Sequence, residues 1–260
     1  MSQLRWGILP SEALRYRNSG CFARSGQFSS DEIAELQGAT NSLVERVQAE
    51  LADARHYRID GHAYADTPRA TVQFEHGAQG VLRVVEPFSG YDPRLSGLLT
   101  DHRLVEPAKA LVDSVGACVF TDKLNLKGPE AGSFGWHQDA PYWAHACRHL
   151  DRLCNVMLAL EDADEENGCF QVQLESHRAG ILPGRDGEGR LDPLFTAAEY
   201  LRSDRELKVP LSAGDLFFFD PCLVHGSASN LSSRSRRALV LTYQPAGLPR
   251  FRGYSAYPSS

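Results

Sequence analysis

The sequence predicts a mainly β fold, a sandwich or jelly roll with helices packed outside it. Three observations predict this. One long amphipathic helix comes early, short apolar runs separated by turn residues recur from about residue 117 onward, and no repeat or low-complexity segment interrupts the 260 residues.

The helix is SSDEIAELQGATNSLVERVQAEL. Ser29 and Glu32 form a capping box at its start, and Ile33, Leu36, Leu43, Val44, Val47 and Leu51 fall at helical spacing. Residues 56–80 mix His, Gly and Pro and read as loops and short strands. Asp92 to Val115 reads as two helical stretches, broken near Glu106-Pro107 and stopped at Gly116. Strands follow at Val119–Leu126, Leu153–Leu160, Cys169–Leu174, Leu207–Leu211, Leu216–Phe219 and Ala238–Tyr243, with turns at Glu166-Asn167-Gly168 and Ala213-Gly214-Asp215. The stretch GRDGEGRLDP, residues 184–193, reads as a mobile insertion between strands. The whole reads as one domain over 1–260, with helical support mainly in 29–116 and the β core mainly in 117–245.

With 42% hydrophobic and 23% charged residues, the composition is that of a soluble globular protein. A formal net charge of −6 argues against a nucleic-acid partner. No apolar run approaches the roughly 18 residues of a membrane span. Neither the start, MSQLRWGILPSEALRY, nor the end, AYPSS, carries a leader or lipidation pattern. The six cysteines form no C-x-x-C pair, so buried free thiols in a reducing compartment, the cytoplasm, are expected.

The stretch GWHQDAPYW raises a chemical question. Read as a strand, it projects His137 and Asp139 to one face, where imidazole and carboxylate can share a metal ion. A histidine and aspartate two apart also arise by chance. The chain holds a second such pair, His149 and Asp151, flanked by arginines and read as surface loop. His137 and Asp139 instead lie among Phe134, Trp136, Tyr142 and Trp143, a setting that excludes water. A third ligand is His225, at the end of the apolar run FFFDPCLV and followed by Gly226, which permits close approach. Two histidines and one carboxylate on one face of an octahedron mark non-haem iron(II) oxygenases. Arg236 opens the strand beyond His225, and one buried guanidinium beside a metal can hold a dicarboxylate bidentately. Arg234 and Arg237 read as its solvated neighbours. The residues alone leave two other uses open. A hydrolase or isomerase on the same triad needs no Arg236, and a non-catalytic jelly-roll module needs no complete triad.

Taken together, these motifs resemble the phytanoyl-CoA dioxygenase family of iron(II)- and 2-oxoglutarate-dependent oxygenases. YRNSGCFARSGQFSSDEIAEL resembles the family's opening strand and helix. WHQDAPYW resembles its first metal motif, LEDADEENGCFQVQLESHRAG its central segment, and GDLFFFDPCLVHGSASNLSSRSRRAL its closing motif. One departure is Leu174-Glu175-Ser176-His177, where the family has Pro-Gly-Ser-His, a change that touches no ligand position. The resemblance implies a double-stranded β-helix, a cupin-like jelly roll. It implies iron(II) held by His137, Asp139 and His225, with O2 and 2-oxoglutarate as cosubstrates. Arg236 and Ser227 are implied at the cosubstrate's distal carboxylate, with Arg83, Lys123 and Met157 also lining its site and Gln138 pointing away. Halogenating relatives lack the carboxylate ligand, so Asp139 implies hydroxylation or another oxidation. The implied partner is a small molecule, a specialised metabolite, with Trp136, Tyr142 and Trp143 as candidate contacts.

Overall fold

The structure is a computed structural model and describes residues 6–78 and 80–251. The leader and C-terminal readings fall partly outside these residues. Helix α1 (Pro10–Ser19) starts with proline in its first turn and ends at Gly20, whose φ of 86° closes the helix through a bond from its amide to the Tyr16 carbonyl. Strand β1 (Cys21–Arg24) follows, then α2 (Ser30–Glu50). The expected capping box is present: the Glu32 amide donates to Ser29 Oγ and the Ser29 amide to Glu32 Oε2. Ile33, Leu36, Leu43 and Val47 are buried along α2, and Val44 and Leu51 pack against the same core.

Next come β2 (Arg55–Ile59), β3 (His62–Asp66), β4 (Thr71–Phe74) and β5 (Leu82–Glu86). Besides its helices, the span 29–116 thus carries four strands, which form a meander that extends the larger sheet. Helices α3 (Pro93–Gly97) and α4 (His102–Leu111) come next. The break between them lies at Leu98–Asp101, and Pro107 sits inside α4. The turn out of α4 uses Asp113 at φ 50°, not Gly116, as its left-handed residue.

The remaining strands are β6 (Ala117–Lys127), β7 (Phe134–His137), β8 (Cys154–Ala159), β9 (Phe170–Gln173), β10 (Glu206–Val209), β11 (Leu216–Phe219), β12 (His225–Ser227) and β13 (Arg236–Pro245), with short helix α5 (Ala140–Trp143) after β7. The larger sheet has the order β1-β11-β8-β13-β6-β5-β4-β3-β2 and the smaller β10-β9-β12-β7, with antiparallel pairing throughout. Alternation along β13 divides its residues between two cores. Leu239, Leu241 and Tyr243 face α2 and α4 together with Leu43, Leu104 and Val156. Ala238 and Val240 face the smaller sheet together with Met157, Val172, Phe217 and Phe219. The mainly β jelly-roll prediction holds, and the space between the sheets opens into a cavity of about 440 Å³.

Residues 184–193, expected to be a mobile insertion, are tied at both sides. Gly184 bridges Thr196, Phe195 bridges His137, and the Leu191 amide donates to Asp60 Oδ2 at 2.6 Å in the β2–β3 turn. All six cysteines are free, but Cys118 and Cys222 are only partly buried.

Candidate metal centre

The antiparallel pairing of β7 with β12 places His137 directly opposite His225, with ring centroids 4.2 Å apart. The aspartate arrives by a different route from the one expected. Strand β7 ends at His137, and Asp139 has helical φ and ψ of −75° and −34° at the start of α5. The shared-strand-face argument therefore fails. A turn brings the carboxylate round instead, fixed by the Asp139 and Ala140 amides, which both donate to the Pro221 carbonyl at 3.0 and 3.1 Å. Gln138 is turned away, its side-chain nitrogen donating to the Gly180 carbonyl and its oxygen accepting from the Leu182 amide.

One ligand atom from each of His137, Asp139 and His225 lies within 4.8 Å of the others, the one such metal-capable group among the described residues. The histidine tautomers suit a metal. His137 Nδ1 is 2.7 Å from the Gly135 carbonyl and His225 Nδ1 is 2.8 Å from the Leu223 carbonyl. A carbonyl only accepts, so each Nδ1 carries the hydrogen and each Nε2 keeps a lone pair. Burial, and then the neighbouring His225, lowers the His137 pKa to about 3, so this imidazole is neutral at pH 7. Burial raises the Asp139 pKa, but the Lys123 ammonium, His225 and His137 together outweigh it and hold the carboxyl at about 2.

The carboxylate is gripped from both sides. Lys123 Nζ donates to its Oδ1 at 2.9 Å. Asn155 Nδ2 donates to its Oδ2 at 2.8 Å, and the Thr242 hydroxyl donates to Asn155 Oδ1 at 2.6 Å. His225 Nε2 lies 3.8 Å from the same Oδ2. Asn155 and Thr242 were missed by the sequence reading. The available signal was a polar residue on the buried face of each apolar run, in LCNVMLAL and RALVLTYQ.

Arg236 is 4% exposed, and its Nε finds no hydrogen-bond partner among the described residues; neither does the buried Ser227 Oγ. Both line the cavity. Buried polar atoms are rarely left unpaired, so the two together make a cradle for an anion. Burial lowers the Arg236 pKa to about 10, which leaves it charged at neutral pH. Asn230 fixes the turn leading to Arg236, donating to the Gly128 and Arg234 carbonyls and accepting from the Ser232 amide. Arg237 points to the opposite face, where it pairs with Glu161 and reaches Asn41 of α2.

The other expected residues are placed as follows. Met157 and Lys123 line the cavity, the latter bonded to Asp139. Arg83 also lines it, but its guanidinium is engaged: it pairs with Glu75 at 2.7 Å, donates to the Ser133 carbonyl and covers the Phe134 ring at 3.7 Å. Tyr142 and Trp143 line the cavity, whereas Trp136 is absent from its wall. His149 bonds to Gln244 and belongs to no metal-capable group. In the segment 174–177 the departure is confined to Leu174 and Glu175, and Ser176 is retained. Ser176 Oγ accepts from the amide of Val224, next to His225, while Glu175 takes a φ of 67° where the family has glycine.

Comparison with known proteins agrees with this geometry. The profile described as phytanoyl-CoA dioxygenase matches residues 16–238. The methylphosphonate hydroxylase of Gimesia maris is 30% identical over 198 residues, covering 75% of this chain and 72% of that protein. The L-proline trans-4-hydroxylase of Streptomyces griseoviridis is 29% identical over 206 residues, covering 72% and 75%. Among solved structures, EctD from S. alaskensis with 2-oxoglutarate and 5-hydroxyectoine superposes with a TM-score of 0.70 at 22% identity, over 92% of this chain and 76% of that one, which shows a shared fold. The chain belongs to the phytanoyl-CoA dioxygenase family and is a non-haem iron, 2-oxoglutarate-dependent oxygenase.

Proposed function

We propose that His137, Asp139 and His225 hold iron(II), that Arg236 and Ser227 hold the distal carboxylate of 2-oxoglutarate, and that the enzyme hydroxylates a small molecule. The observation that carries this reading is the pairing of a complete ligand set with an orphaned, buried Arg236 in the same cavity. A hydrolase or isomerase on the same triad has no use for that guanidinium.

Iron(II), 2-oxoglutarate and O2, bound together, supply the oxidising power, with one oxygen atom leaving in succinate, carbon dioxide lost and the other oxygen delivered to substrate. The protein supplies geometry and dryness. Lys123 and Asn155 each occupy one carboxylate oxygen of Asp139, which restricts how it can turn toward the metal. Met157 and Val240 line the route from the metal to Arg236 along β8 and β13. Tyr142, set edge-on to the His137 ring at 6.0 Å, and Trp143 close the side near α5.

The substrate class is a small molecule, as for the methylphosphonate- and L-proline-acting relatives. A cavity of about 440 Å³, shared with the cosubstrate, suits this. We assign the chain to specialised metabolism and to the cytoplasm; the six unpaired cysteines support the second assignment.

Anaerobic titration of the iron(II) protein with 2-oxoglutarate, following the weak visible band of the chelate, tests the reading. Arg236→Ala should keep the iron and raise the 2-oxoglutarate requirement by hundreds, since truncating one side of a buried charged pair costs about 3–5 kcal/mol. Arg236→Lys should fall between, keeping charge and losing the fork. No band in the unmutated protein would sink the cosubstrate assignment. Unchanged affinity in Arg236→Ala would move the anchor elsewhere.

A further inference from the structure

The larger sheet sets a row of side chains across the cavity floor. Thr71 pairs with Glu86 between β4 and β5, and Gln73 pairs with Val84. Val84 pairs with Asn125 between β5 and β6, a register that brings Glu86 abreast of Lys123. Lys123 pairs in turn with Val240 on β13, and Val240 with Met157 on β8. Neighbouring strands lie about 4.8 Å apart, so Glu86 stands one strand beyond the lysine that grips Asp139. It is on the side leading away from Arg236.

The charges of this row do not cancel pairwise. Two carboxylates, Asp139 and Glu86, flank one ammonium. Lys123 spends its hydrogen bond on Asp139 at 2.9 Å, and no cation lies within 4.0 Å of Glu86 among the described residues. Glu75, the other carboxylate on the cavity wall, has Arg83. Among the described residues the one hydrogen-bond partner of Glu86 is the Thr121 hydroxyl, which donates to Oε1 at 2.5 Å; Oε2 has none, and Glu86 lines the cavity. Burial raises the Glu86 pKa against the opposing charge of Lys123. Beside it, Gln73 and Asn125 also line the cavity, with side-chain amides that bond to no other described residue.

We propose that Glu86 is a specificity-determining residue that receives a protonated nitrogen of the substrate, so that the enzyme acts on small amines, amino acids included. The proposal rests on the oxygenase reading above and adds the class of substrate. An ammonium between Glu86 Oε2 and the amides of Gln73 and Asn125 meets three acceptors, and its carbon skeleton then extends toward Tyr142 and the metal. A neutral or anionic molecule leaves Glu86 uncompensated in a site poor in water, which selects against it.

The test uses the full-length iron(II) enzyme with 2-oxoglutarate and O2. The probe is a set of small amines and amino acids, each matched with its N-acetyl derivative and with the analogue carrying hydroxyl in place of nitrogen. Succinate release above the no-substrate rate is the readout. Amines should stimulate and their matched partners should not. Glu86→Gln keeps the shape and the acceptor for Thr121 and removes the charge, so it should lower kcat/KM for every stimulating amine by roughly tenfold to a hundredfold. Its thermal midpoint should stay near that of the unmutated protein, which separates recognition from folding. A set in which no amine stimulates, or in which only neutral or anionic members do, overturns the proposal. So does amine turnover unchanged in Glu86→Gln. The chelate band of the unmutated protein, recorded without any amine, reports on the iron and cosubstrate reading separately.

Discussion

His137 and His225 each offer one nitrogen to the cavity because a backbone carbonyl two residues earlier takes the other. Replacing either by alanine removes one of the three proposed ligands, and no cysteine among the described residues lines the cavity to substitute for it. His137→Ala and His225→Ala should therefore lose bound iron, measured as metal per chain after anaerobic reconstitution, while His149→Ala retains it. The reverse result would show that the sequence's second His-x-Asp pair is the true one. Lys127 makes a different prediction. It is buried abreast of Arg236, donating to the Gly132 and Ala228 carbonyls. Burial first, then the Arg236 and Arg83 charges, lowers its pKa to about 7. A dicarboxylate paired with Arg236 favours the protonated lysine, so binding takes up a proton. Affinity should be flat below pH 7 and fall as pH rises above it, by at most about tenfold per unit. Chelate titrations from pH 6 to 9 check this, and an affinity that rises with pH would show that Lys127 is not coupled to the cosubstrate.

At the scale of elements, the site depends on strands approaching more closely than side chains usually allow. A Cβ on Gly226 would lie 2.8 Å from the Phe134 carbonyl oxygen on the paired strand, and one on Gly168 would lie 2.3 Å from the Ala228 carbonyl oxygen. Gly226→Ala should push β12 from β7 and spread the opposed histidines, weakening iron binding even though residue 226 touches no metal. Equilibrium metal titration of Gly226→Ala checks this, and wild-type affinity would show that the pair can absorb a methyl group. The strands of the core were largely legible because apolar runs such as Leu216–Phe219 sit between turn residues, and β11 has those bounds. The turn at Asp139 was not. A two-residue spacing reads equally as continued strand or as strand followed by turn, and the Pro221 carbonyl that decides between them lies far along the chain. Pro107 misled for a related reason. Proline weakens an isolated helix, but α4 is held by burial of Leu104, Pro107 and Ala108.

For the molecule as a whole, the long motifs around His137 and His225 made the jelly roll and its candidate metal site readable. The meander β2–β5 was obscured by its own composition. Strands such as His62–Asp66 and Thr71–Phe74 carry polar side chains because one face lines a cavity, so they lack the apolar signature of core strands. Glu86 went unnoticed for the same reason. The segment 184–196 belongs to this scale too, since it leaves the smaller sheet, contributes Phe195 to the cavity wall and is fastened to Asp60. Asp60 sits in the turn of the hairpin that carries His62 and Tyr64, two further wall residues. The segment and the hairpin are thus two leaves of the cavity wall joined by one latch. Releasing the latch should loosen both at once and let bulk water into the chamber from two sides. Asp60→Gly tolerates the left-handed turn at φ 49° and removes the acceptor, at a cost of about 1–2 kcal/mol to the closed state. It should raise the share of 2-oxoglutarate consumed without substrate oxidation, read as succinate formed per oxidised product. A ratio identical to wild type would mean that the latch does not guard the chamber.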